Sequence, residues 1–138
     1  MNRTRTDMTR GEVHTPRETD EFHTAEGCFI LETWNRETDP AVSIARARVA
    51  PQVTTRLHRL AGIVERYLIL SGEGLVEVEG MESKRVRTGD LVHIPAGLGQ
   101  RIGNRGDTDL IFLAICTPRF TPRAYQDIDP EPLPDSPT

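Results

Sequence analysis

His58 and Glu65 are the pair in this 138-residue chain best suited to joint chemistry. An imidazole exchanges protons near neutral pH, and a carboxylate is a base, an acid or an anchor for a cation. They lie in VTTRLHRLAGIVERYLILSGEG, from Val53 to Gly74, where side-chain types alternate. Arg56, His58 and Leu60 are spaced by two, as are Glu65, Tyr67 and Ile69, so in strands each trio shares a face. Ala61 to Val64 reads as a short loop, and Ser71 to Gly74 as a turn in which glycine supplies positive φ. The stretch predicts one β-hairpin whose adjacent strands aim His58 and Glu65 into a common space.

The spacing resembles the first motif of the cupin superfamily, which are small double-stranded β-helix barrels. That motif runs histidine, one residue, histidine, three or four residues, glutamate, six residues, glycine. His58, Leu60, Glu65 and Gly72 occupy its positions, with four residues between Leu60 and Glu65 and six between Glu65 and Gly72. GDLVHIPAGLGQRIGN is similar to the second motif, with Gly89, Pro95, Gly97, Gln100 and Asn104 at the family's intervals. Leu60 and Gln100 stand where the family has histidines. The resemblance covers roughly residues 42 to 117 and implies an all-β, jelly-roll-like barrel. It also implies a homodimer, a divalent metal and a small-molecule ligand or substrate.

The metal implied would be held by His58, Glu65 and the amide oxygen of Gln100, a donor set suited to Fe, Mn, Ni, Cu or Zn. Leu60 supplies nothing, so the expectation is a weakly held ion, with His23, Glu26, Cys28 and His93 as substitute donors. Without a metal, His58 and Glu65 form an acid–base pair, and Tyr67 and Gln100 serve as donors to an oxyanion. The bland alternative is that these groups only satisfy one another's hydrogen bonds. Three function classes follow: a cupin-type enzyme on a small polar metabolite, by isomerase, lyase or oxygenase chemistry; a metal-free binding or sensing barrel; and a structural barrel. Looser similarity to the sugar-isomerase-like cupins, through TTRLHRL and ERYLILSGEG, does not select a substrate.

Composition narrows the partners. The net charge of −4 gives no field to attract phosphate backbones, which argues against nucleic acid. No run approaches the roughly 18 apolar residues of a membrane span, and the N-terminus lacks an apolar leader core. Cys28 and Cys116 are far apart and in no CxxC pattern, so they read as buried thiols of a cytoplasmic protein.

Along the chain, residues 1–20 are polar and predict a flexible arm, residues 21–120 a barrel domain, and residues 121–138 a proline-rich acidic tail with one helical turn near Arg123 to Asp127. FHTAEGCFILETWN reads as a strand. AVSIARARV has two parities: small residues inward with Arg46 and Arg48 outward, or both guanidiniums inside as an anion fork. LVEVEGMESKRVRTGD is a strand, a turn and a strand. LVHIP ends at Pro95, and LIFLAICT is the most apolar strand.

Overall fold

A computed structural model describes residues 8–133. Its strands are β1 (Phe22–His23), β2 (Phe29–Trp34), β3 (Ser43–Val49), β4 (His58–Leu60), β5 (Val64–Ser71), β6 (Glu73–Val78), β7 (Lys84–Arg87), β8 (Leu91–Ile94), β9 (Gln100–Gly103), β10 (Leu110–Thr117) and β11 (Tyr125–Asp127). They form a six-stranded sheet, β1-β2-β3-β10-β5-β8, and a five-stranded sheet, β11-β4-β9-β6-β7. The observed pairs are antiparallel, and the two sheets enclose one core, the double-stranded β-helix arrangement. Two short 3-10 turns, Glu18–Asp20 and Pro122–Ala124, complete the secondary structure of the described residues.

The two-residue alternation decides which side chains enter the core. In β5, Glu65, Tyr67 and Ile69 are buried while their neighbours are less so. Val49, Ile69, Val76, Ile94, Ile102 and Leu110 are each at most 1% exposed. Each such side chain contributes about 1.5–3 kcal/mol of hydrophobic stabilisation. Leu60, Ile63, Cys116 and Ala124, with Phe120 and Tyr125 against them, make a smaller cluster beside His58.

The motif punctuators have structural work. Gly72 has φ +84°, and a Cβ there would lie 2.6 Å from the Asp109 carbonyl oxygen, so only glycine fits. Asn104, 1% exposed, donates through Nδ2 to the Val49 and Thr108 carbonyls at 2.9 and 2.8 Å, and its Oδ1 accepts from Gly106 N. It ties the β9–β10 turn to β3.

Three local expectations need correcting. Val53 to Gly74 is not a hairpin: β4 pairs with β9 and β11, whereas β5 pairs with β10 and β8 in the other sheet. The Ala61–Ile63 connection crosses between sheets, because three-residue β4 finds its hydrogen bonds with β9 and the C-terminal strand. The expected strand from Phe22 is broken by a turn in which Gly27 takes φ +101°. In the tail, Tyr125 to Asp127 is extended rather than helical, since its backbone pairs with β4 from Leu60 to His58.

Arg46 and Arg48 point outward, the first of the two parities. Arg46 Nη2 lies 2.6 Å from Glu18 Oε2, and Arg48 Nη2 lies 2.6 Å from Glu21 Oε1. These pairs, with Arg36–Glu12 at 2.7 Å, lay the described part of the N-terminal arm along β2 and β3. Residues 1–7 of the expected arm and 134–138 of the expected tail lie outside the described residues.

Candidate functional site

His58 enters the barrel from β4 and is 3% exposed. Its Nδ1 lies 2.8 Å from the Arg56 carbonyl oxygen, which only accepts, so Nδ1 carries the proton of that bond and Nε2 is left for another partner. Tyr125 from the tail strand stacks on the imidazole, with centroids 5.0 Å apart and planes inclined by 21°. Gln100 of β9 is its register partner. Glu26 Oε2, from the turn before β2, approaches Nδ1 to 3.7 Å.

Glu65 stands on the opposing sheet, 8% exposed, with Cys116 of β10 as its register partner. The Cys116 thiol donates to Glu65 Oε2 at 3.6 Å, while Glu65 Oε1 has no hydrogen-bond partner. Burial pushes the Glu65 carboxyl up to about 7. His58 pulls against that rise, Glu26 adds to it, and the nearby Gln100 amide and Cys116 thiol lower it slightly. Burial likewise raises Glu26, opposed by His58. Tyr67 is held well above the usual phenol range by burial and then by Glu65, so it remains a neutral O–H donor. That hydroxyl donates to Gln100 Oε1.

A cavity of about 140 Å³ lies against Glu65. Glu65, Cys116 and Ser43 give it polar depth, and Ile30, Ile44, Ala45 and Ala114 give it apolar walls. Thr24, Glu26 and Glu32 also line it, and exposed Phe22 lies on its rim. His58, Tyr67 and Gln100 do not line it; they sit behind Glu65 in the barrel interior.

Of the substitute donors, Glu26 reaches the site. Cys28 is buried and contacts Thr24 Oγ1 at 3.7 Å, whereas His23 and His93 are exposed. His23 packs edge-on against Phe29, and His93 sits opposite Arg66. Sequence reasoning missed Cys116 as a partner of Glu65, along with Ser43 and Tyr125. The alternation of β10 does turn Cys116 inward with Leu110 and Phe112, but its register against Glu65 comes from strand pairing.

The side chains do not fit a firmly held divalent metal. Among the described residues no three His, Cys, Asp or Glu converge in a way that could hold one. The set reduces to one imidazole, one free carboxylate oxygen and an amide oxygen already accepting from Tyr67, with Glu26 on the Nδ1 side of the ring that the Arg56 carbonyl occupies, fewer and weaker donors than a stable site needs. What the arrangement offers from its own residues is a carboxyl whose raised value lies near neutral pH beside a small, largely apolar space.

Known proteins agree with this architecture. A profile of the Cupin domain matches residues 45–116. Over 71 residues the chain is 37% identical to the oxalate-binding protein of Thermotoga maritima, a match covering 51% of this chain and 58% of that protein's length. The chain thus spans little more than half of that curated relative. The crystal structure of a predicted oxalate decarboxylase from Thermotoga maritima superposes with a TM-score of 0.63 at 28% identity, covering 75% of this chain and 92% of that one. The Streptomyces protein PAC13, solved with uridine, superposes with a TM-score of 0.71 over 86% of this chain and 92% of that one; at 15% identity this is a likeness of fold. With both motifs in their expected places and the profile spanning half its length, the chain belongs to the cupin family.

Proposed function

We propose that this cupin barrel binds a small polar metabolite in the cavity at Glu65, with Glu65 as the group that exchanges a proton with it. The observation that carries the reading is Glu65 itself, whose side chain lines the cavity while its buried Oε1 has no hydrogen-bond partner. A buried acceptor left unsatisfied costs about 1–3 kcal/mol, which a ligand donor would offset. With its carboxyl near 7, Glu65 takes and returns a proton at neutral pH, the step that isomerase and lyase chemistry requires. His58, its Nδ1–H fixed on the Arg56 carbonyl, steadies the charged form of Glu65. Tyr67 orients the Gln100 amide by donating to its oxygen.

A weakly held divalent ion at His58 Nε2, Glu65 Oε1 and Gln100 is the second reading, favoured by the same free oxygen. An ion there would supply Lewis-acid polarisation of a bound oxygen. Two further parts of the reading concern context. Two copies pair as a homodimer through the outer face of the six-stranded sheet, where Leu70 and Leu91 are 42% and 60% exposed. The protein is cytoplasmic, which suits two buried free thiols; no helix among the described residues is long and apolar enough to cross a membrane.

The test is a thermal-shift screen of polar molecules of up to about eight heavy atoms, run on the native sequence and on Ala45→Leu, which fills the cavity. At least one probe should raise the melting temperature of the native protein by several degrees and leave Ala45→Leu unmoved. Equal stabilisation of both proteins would place the ligand elsewhere and end the proposal.

A further inference from the structure

We infer that the cavity at Glu65 takes a compact organic cation, a primary amine on a short carbon body, and not the carboxylate ligand named for the Thermotoga maritima relative. The inference rests on that cavity being the ligand site and adds the charge class of what enters it.

The lining carries three carboxyl groups, Glu26, Glu32 and Glu65, and no lysine, arginine or histidine among the described residues. A carboxylate brought here would meet three carboxyl groups and no guanidinium or ammonium to receive it, and any repulsion strengthens as water is excluded. An ammonium finds the reverse. Glu65 lines the cavity with a side chain only 8% exposed, and its buried Oε1 has no hydrogen-bond partner, so the carboxyl keeps an unused acceptor for an N–H donor. Glu65 Oε2 is already taken by the Cys116 thiol, which leaves Oε1 as the oxygen without a donor.

The remaining surface favours an organic cation over a bare ion. Ile30, Ile44, Ala45 and Ala114 form apolar walls that would exclude a hydrated metal and pack a hydrocarbon. The volume of about 140 Å³ sets the size. A cavity of about 150 Å³ holds a six-carbon ring, so an amine of four to six carbons is the scale that fits.

The experiment is isothermal titration of the full chain, at about pH 7.5, with butylammonium chloride, 1-butanol, sodium butyrate, sodium oxalate and manganese chloride, repeated on Glu65→Gln and Ala45→Leu. The expected result is butylammonium bound at least tenfold more tightly than butanol, butyrate or oxalate. Glu65→Gln should weaken the amine by tenfold or more while changing butanol by less than threefold, and Ala45→Leu should abolish both. Tighter binding of butyrate, oxalate or manganese than of the amine overturns the inference, as does amine binding that survives Glu65→Gln unchanged. Butanol binding that is lost in Ala45→Leu, with no preference for the amine, rejects the cation and keeps the cavity. If none of the probes binds, both fall. Circular dichroism of each variant checks its fold, and Ala45→Leu carries the comparison if Glu65→Gln does not fold.

Discussion

Cys116 Sγ lies 3.6 Å from Glu65 Oε2 across the β5–β10 pair, and this contact decides which carboxylate oxygen remains free. The thiol is itself pushed up by burial and by Glu65, so it stays protonated and donates. Cys116→Ala removes that donor and should drive the Glu65 carboxyl higher, while Cys116→Ser, with a stronger donor, should bring it down. Carbon NMR titration of the Glu65 carboxyl in the two variants reads the direction. Movement the same way in both would show that the thiol does not set the ionisation of Glu65.

Stability should fall as pH rises from about 4.5 through about 7 because of Glu65. Its folded-state value of about 7 is above the ordinary carboxyl value of 4.5, so the folded protein holds a proton that the unfolded chain has released. The stabilisation is complete below the lower value and lost above the upper one, and is on the order of 3 kcal/mol. His58, Glu26, Gln100 and Cys116 all face Glu65, and raised Glu26 acts in the same direction. Glu18, Glu21 and Asp127, held low by their arginines, act with the opposite sign and at lower pH. Glu65→Gln should flatten the decline. Urea denaturation of both proteins at pH 5 and pH 8 gives the comparison, and equal slopes would show that Glu65 is not buried as a neutral acid.

Much of this was legible in the sequence, because alternation and turn residues act locally. His58 and Leu60 on one face and Glu65, Tyr67 and Ile69 on another follow from the two-residue period of a half-buried strand, which also puts Arg46 and Arg48 on one face but leaves open which face that is. What remained hidden was pairing at a distance. Nothing local says that β4 leaves β5 for β9, that Cys116 stops opposite Glu65, or that Tyr125 returns from the tail to stack on His58. The composition of 121–138 suggests a segment too polar to order itself, yet Tyr125 to Asp127 gain order from β4 and from Arg56, whose Nε lies 2.6 Å from Asp127 Oδ2.

The tail therefore packs against His58, behind the cavity. Tyr125→Ala removes the ring stacked on His58 and should cost about 1–3 kcal/mol, given that the ring is only partly buried. Chemical denaturation measures the loss, and exchange of the His58 ring proton should quicken. A variant as stable as the native protein would mean that the strand is held by its backbone and ion pairs alone.

Asn104→Ala should be costly for another reason. It leaves the Val49 and Thr108 carbonyls and the Gly106 amide without their partner, so a loss of about 2–4 kcal/mol is expected without any change of ligand class. Glu26→Gln, in contrast, should lessen the fall of stability with rising pH and weaken amine binding. The two variants together separate the motif residue that holds the turn from the carboxyl that faces the cavity.

Metal content is settled by elemental analysis of the protein purified without an affinity tag. The donor set predicts that dialysis against a chelator leaves less than stoichiometric metal and does not shift the melting temperature. About one ion per chain surviving that treatment would promote the site at His58, Glu65 and Gln100 to a resident metal centre.

The central claim is that Glu65 presents a buried, half-ionised carboxyl with a free oxygen to a ligand in the neighbouring cavity. Carbon NMR of the Glu65 carboxyl, titrated with pH in the presence and absence of butylammonium, tests it most directly. The account predicts a midpoint near 7 in the free protein, moving down when the amine binds. A midpoint in the ordinary carboxyl range that the amine does not move would contradict it.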